Sequence, residues 1–180
     1  MLDHPAINQD LYGPKMLDFV SSANAYCAML EALQGEDAKG FIASALQALS
    51  TLYSRFLLIP DFEPRLDGSI EPHVSEGQWS AIYQRVALLL GSHNEYLRPA
   101  ERDEFDRSDL VAHYISEDLA DLYQELRDFT IVYSRGMEDM MNDAGWELKE
   151  RFCEHWGRKL LSALKALHEL YVEEINPLEE

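Results

Sequence analysis

Apolar residues recur along most of this chain in steps of three and four, the spacing of helices that bury one face. The clearest stretch is Ile115 to Tyr133, where Ile115, Leu119, Leu122, Leu126, Phe129 and Tyr133 form one row. Asp118, Asp121, Glu125 and Asp128 form a second row, centred about 100° round the helix from the first. The pattern predicts a central helix that buries one stripe and carries carboxylates along its margin.

The other segments follow the same logic. Residues 1–13 read as a loose lead-in. Gly13-Pro14 predicts a helix start, with Pro14 at its first position. Met16, Val20, Ala23, Cys27 and Leu30 make one row, widened by Phe19, Tyr26 and Leu33. The turn Gln34–Asp37 then opens a second helix over 37–58. It buries Ile42, Ala45, Leu49, Leu52 and Phe56, flanked by Leu46 and Tyr53, and stops at Pro60. So short a connection predicts an antiparallel pair.

Residues 59–75 hold Pro60, Pro64, Pro72 and Asp67-Gly68, a loop by composition. Its length marks it as either functional or disordered. Ser75 with Gln78 predicts a capping box opening a third helix, with Trp79, Ile82, Val86 and Leu89 buried and Gly91 at its end. Around Pro99 the charged stretch 92–108 reads as a helical turn followed by a solvated loop. The central helix is expected to start near 108, since Leu110, Val111 and Tyr114 extend its apolar face; a start capped by Ser116 is the alternative. Gly136 closes it. From 137 to 174 a row of Met141, Gly145, Leu148, Phe152, Trp156, Leu160, Ala163, Leu167 and Leu170 predicts further helix. A break or kink is expected at Gly145 or Gly157. Asn176-Pro177 ends the structured part, with 175–180 loose.

The total is an all-α fold of five to seven helices in a mainly antiparallel bundle, and a length of 180 residues predicts one domain. Charge then narrows the partners. With 15 Lys and Arg against 33 Asp and Glu, the net charge is -18. That argues against nucleic acid and against anionic membrane surfaces, and leaves a basic partner protein or a cation electrostatically allowed. No apolar run approaches the about 20 residues of a membrane helix. The N-terminus has no basic start and apolar core, so no signal peptide is expected and the cytoplasm is the expected compartment. Cys27 and Cys153 sit among apolar helix positions and read as buried thiols.

Candidate chemistry is sparse. The acidic row is able to face a cation or a basic protein, though a solvated helix face is the plainer account of a charge run. Glu117, Asp118, Asp121, Glu125, His155 and His168 are the candidate binding residues. No histidine has Glu or Asp three positions before it, as two-metal bundle sites require, and Asp109 with His113 is one isolated pair at a single helical turn. No metal site is therefore expected. His155 and His168 point about 140° apart on a straight helix, so each reads as a boundary histidine. Ser116 is explained by capping rather than nucleophilic work. No phosphate-cradling glycine motif occurs, and no cofactor and no catalytic residue is assigned.

Several segments together resemble a known family. They are Phe19-Val20, Tyr26-Cys27 and Leu30-Glu31, then Leu52-Tyr53 and Ile59-Pro60, then Ile115-Ser116-Glu117-Asp118-Leu119-Ala120-Asp121-Leu122-Tyr123. Ala144, Trp146, His155-Trp156-Gly157, Leu160, Ala163-Leu164 and Leu167-His168 complete the set. Over roughly 15–170 the chain is similar to the bacterial DUF5063 family, whose function is unknown. The resemblance implies a helical cytoplasmic bacterial protein and transfers no activity and no site. The functional expectation is a non-catalytic protein-binding or regulatory module that uses the acidic ridge. The alternative is a metal-dependent or small-molecule enzyme, sited where the acids of 109–125 meet His155 or His168. Self-assembly through the apolar faces is a third reading.

Overall fold

The computed structural model describes residues 8–35, 37–99 and 110–175. The all-α expectation holds, with one small addition. The helices are α1 (Gln9–Tyr12), α2 (Pro14–Glu31), α3 (Ala38–Phe56), α4 (Glu76–Leu90), α5 (Ile115–Ser134), α6 (Glu138–Arg151) and α7 (Gly157–Ile175). Between α4 and α5 lies an antiparallel pair of strands, β1 (Glu95–Pro99) and β2 (Leu110–Tyr114), with Tyr96 opposite His113 and Arg98 opposite Val111.

α5 is the hub. It packs against α2, α4, α6 and α7, while α3 packs on α2 and α7. Leu119, Leu122 and Leu126 are fully buried, as the apolar row predicts. Burial extends further round than one stripe. Ser116, Asp118, Glu125 and Thr130 are buried as well, because a central helix has neighbours on most sides. Tyrosines tie the hub in place: Tyr26 donates to the Leu119 carbonyl at 2.8 Å, and Tyr133 donates to the Leu11 carbonyl at 2.5 Å.

Helix ends follow from local chemistry. Asp37 accepts from Gly40 N at 2.6 Å at the start of α3, and Ser75 with Gln78 forms the expected capping box of α4. α5 starts differently. Ser116 does not cap it, being already inside the helix, and Ser108 lies outside the described residues. Its orphan amide is met from outside, where Ser116 N donates to Asn94 Oδ1 at 2.9 Å and Asn94 Nδ2 donates to Ser116 Oγ at 2.9 Å.

Four expectations are corrected. Residues 110–114 are strand, not an early turn of α5; so short a mostly apolar segment does not separate strand from helix, and pairing with 95–99 decides it. The helical turn expected before Pro99 is confined to Gly91–Asn94, and the 100–108 stretch lies outside the described residues. The 1–13 lead-in contains α1, capped by Asn8, while residues 1–7 lie outside the described set, as do Asn176-Pro177 and the rest of 176–180. In α4 the buried set is Ile82, Val86 and Leu90; Trp79 and Leu89 are half-buried.

The expected break falls at Gly157, where Phe152–Trp156 form a π turn between α6 and α7. The spacing of the inward row explains it. Leu148, Phe152, Trp156 and Leu160 are three successive steps of four, which drift by about 120° at 100° per residue. A turn bonded i→i+5 absorbs that drift, and Gly157 N donates to the Phe152 carbonyl to close it. A Cβ on Gly157 would lie 2.6 Å from that carbonyl oxygen. Gly145 is instead a close approach, since a Cβ there would meet the Phe62 ring at 2.8 Å. The π turn also exposes Cys153, against the expectation of a buried thiol, because one step from Phe152 leaves the inward row. Cys27 is buried as expected, and burial pushes its thiol up to about 12. Among the described residues no helix is long and apolar enough to cross a membrane.

Gly157→Ala is expected to lower stability by about 1–3 kcal/mol, because a backbone oxygen and not a flexible side chain must move. A urea midpoint equal to that of the parent chain would show that the turn tolerates a Cβ.

Candidate functional site

The acidic row of α5 is where the sequence places its candidates, so its surroundings decide what they do. Asp118 is buried and accepts from the Tyr96 hydroxyl of β1. Burial raises its pKa to about 6, against the lowering effects of the Tyr96 hydrogen bond, Lys159 and Arg98. Asp121 accepts from Trp79 Nε1 at 2.7 Å and pairs with Lys159 of α7. Glu117, half exposed, lies 4.0 Å from the same Lys159 nitrogen. Glu125 is buried and paired with Arg151 of α6 at 2.6 Å. Burial outweighs that guanidinium, which is itself half in water, and raises Glu125 to about 7.

The structure thus brings Glu117, Asp118 and Asp121 together around Lys159, and sets Glu125 beside Arg151. It does not bring His168 to them. At 100° per residue His168 is half a turn round α7 from Lys159, and it lines a groove against α3 with Leu46 and Ser50. His155 stands exposed on the π turn. Asp109 lies outside the described residues, and His113 Nε2 accepts from Arg98 Nε at 2.8 Å. Among the described residues no group of three or more His, Cys, Asp or Glu is placed to hold a metal ion.

A second set of acids, not singled out from the sequence, does more visible work. Residues 59–75 have no regular structure, yet carboxylates of α5 and α6 accept their backbone amides. Asp143 takes Arg65 N and Leu66 N, each at 2.8 Å. Glu147 takes Ile70 N at 2.9 Å, and Asp128 takes both His73 N and Val74 N at 2.7 Å. Asn142 donates to the Glu63 carbonyl at 2.7 Å, and Lys149 donates to the Ile59 carbonyl at 3.2 Å. The segment is a pinned strap. Under it a cavity of about 40 Å³ lies among Glu125, Asp128, Glu147 and Arg151. That volume suits a water molecule rather than a substrate.

The strap was legible as a long loop, and Asp128 as part of a ridge. Asp143 and Glu147 carry no signal of their own, since a carboxylate on a helix gives no sign of which distant amide it will meet. Tyr96, Arg98, Lys159 and Arg151 were missed for the same reason. Exposed acids gather in this region: Asp61, Glu63, Asp67 and Glu71 of the strap and Glu138, Asp139 and Glu150 of α6, of which Asp61 pairs with Lys149 and Asp139 with Arg65.

The comparisons with known proteins come to the same fold. Residues 11–173 match the model of a family described as a domain of unknown function (DUF5063). The chain is similar to the crystal structure of protein BF1032 from Bacteroides fragilis, at 30% identity and a TM-score of 0.79, over 90% of this chain and 95% of that one. No curated protein matches it.

Two outcomes are expected. Asp143 is buried, which raises its pKa, but Asn142, the Leu66 and Arg65 amides and the Arg65 charge outweigh this and hold it below the usual 3.8. Asp143→Ala orphans two amides at a cost of about 1–3 kcal/mol, and hydrogen exchange at 63–74 should accelerate while α5 stays protected. Unchanged exchange would show that Asp143 does not hold the strap. Glu125 works in the opposite sense. Its value rises from 4.5 to about 7, so the native chain holds a proton there that the unfolded chain has released. That contribution is present below about pH 4.5 and lost as pH rises through about 7. The stability of Glu125→Gln relative to the parent should therefore climb between pH 5 and pH 8. A difference in urea midpoints that stays flat with pH would refute it.

Proposed function

The chain belongs to the DUF5063 family, a domain of unknown function, and on that footing we propose that it is a non-catalytic binding module whose contact surface is the strap 59–75 with the outer face of α6. The proposal places it in the cytoplasm, with a basic surface of another protein as partner. The observation that carries it is the pinned strap. Holding an irregular segment still costs about 1–2 kcal/mol of conformational free energy per residue. Here four side chains of α5 and α6 meet that cost, and Glu63, Asp67 and Glu71 of the strap are left exposed. A surface already fixed in shape loses less entropy when a partner docks. Complementary charge steers that partner and sets its orientation.

This reading moves the contact away from the α5 row. Asp118, Asp121 and Glu125 already have partners inside the fold, in Tyr96, Trp79, Lys159 and Arg151. Asp128 is committed to the strap itself. A basic protein approaching that row would have to break those bonds first.

Zero-length carboxylate-to-lysine cross-linking in cells, mapped by mass spectrometry, tests the proposal. Partner lysines should join Glu63, Glu71, Glu138 or Glu150. The combined variant Glu63→Lys/Glu71→Lys/Glu150→Lys should lose those links while its helical circular dichroism is unchanged. Links that instead concentrate on Asp18, Glu169 or Glu173 and survive the charge reversal would overturn it.

A further inference from the structure

At one end of the strap the acidic surface opens into a cleft of about 530 Å³ between Phe56–Glu63 and the α6–π turn junction. Its walls are aromatic. Phe62 is seated on Gly145, Trp146 is half-buried on α6, and Phe152 is the first residue of the π turn. Phe152 is held by other rings, with centroids 4.3 Å from Phe56 and 4.6 Å from Trp156. The rim carries Asp61, Glu63 and Glu150. Among the described residues that line it the one cation, Lys149, is taken up by Asp61 and the Ile59 carbonyl, so the rim keeps a net negative charge.

An apolar floor under carboxylates selects among ligands. An acid is repelled, a neutral apolar group leaves the rim unpaired, and a compact, strongly hydrated ammonium gives up more water on entering. A guanidinium suits both parts: its flat face stacks on aromatic rings and its edge donates two parallel hydrogen bonds to a carboxylate. We propose that this cleft receives an arginine side chain from an extended basic segment of the partner protein. The inference rests on the reading of the strap as the contact surface and names the anchor within it. Leu57, which lines the cleft, and its chain neighbour Leu58 are 59% and 56% exposed and offer contact to apolar residues flanking that arginine.

The cleft also carries its own reporter, because Cys153 lines it and is exposed while Cys27 is buried. The probe is a blocked Arg-Gly repeat hexapeptide added to the full chain, with the citrulline version as its neutral isostere. The arginine peptide should slow alkylation of Cys153 saturably, and the citrulline peptide should not. Trp146→Leu, which keeps an apolar side chain, should weaken binding by roughly three- to thirtyfold, the range of a ring–cation contact. Glu150→Lys, at an exposed position, should weaken it without touching the core. Equal protection by the citrulline peptide would overturn the proposal. So would folded Trp146→Leu protein that binds as tightly as the parent. Arginine peptide that binds without protecting Cys153 would sink the cleft and leave the strap reading standing. Protection of Cys153 with no cross-links to the strap would sink the strap reading instead.

Discussion

A backbone amide buried without an acceptor costs more than most side-chain contacts return. Much of this molecule is arranged to meet that demand over residues 59–75. The strap lies against α5 and α6, and the amides of Arg65, Leu66, Ile70, His73 and Val74 are held by their carboxylates. Asp143, Glu147 and Asp128 stand where a neighbouring strand's carbonyls would stand in a sheet. Among the described residues no buried side-chain nitrogen or oxygen is left without a partner. Asp128, Asp143 and Glu147 therefore belong to the architecture first, whatever charge they add to the surface.

The same demand explains two kinds of carboxylate in one small region. Asp143 is surrounded by donors, and its charge is welcome. Asp118 and Glu125 are buried with fewer donors, and their charge is resisted. Position along α5 and α6, not residue type, separates the two. A net charge of -18 read from composition alone gives no hint that some of these groups gain protons on folding while others release them.

How much was legible follows from how local each signal is. The row from Ile115 to Tyr133 marked the hub correctly, since helical spacing is a property of the segment itself. The capping box at Ser75 and Gln78 is equally local. The strands were missed because Leu110–Tyr114 is too short to show a period, and its partner lies on the far side of Pro99. Three consecutive steps of four through Leu148, Phe152, Trp156 and Leu160 did hold the signature of the π turn, and Gly157 marked its place. The acidic row was seen, but its role was not: whether a carboxylate meets water, an amide or a lysine depends on residues tens of positions away. Of the six candidate binding residues, Glu117, Asp118 and Asp121 gather around one lysine, whereas His155 and His168 sit apart on the π turn and the α3 side of α7.

The π turn has a consequence for how the two C-terminal helices divide their labour. One surplus residue resets the angular phase, so α6 turns its inner face to α5 and the strap while α7 turns its own to α3 as well as α5. A continuous cylinder of the same length would have had to share a single bearing between both sets of neighbours. The stutter works as a swivel fixed at one setting, and it lets a single length of chain close the bundle on two sides.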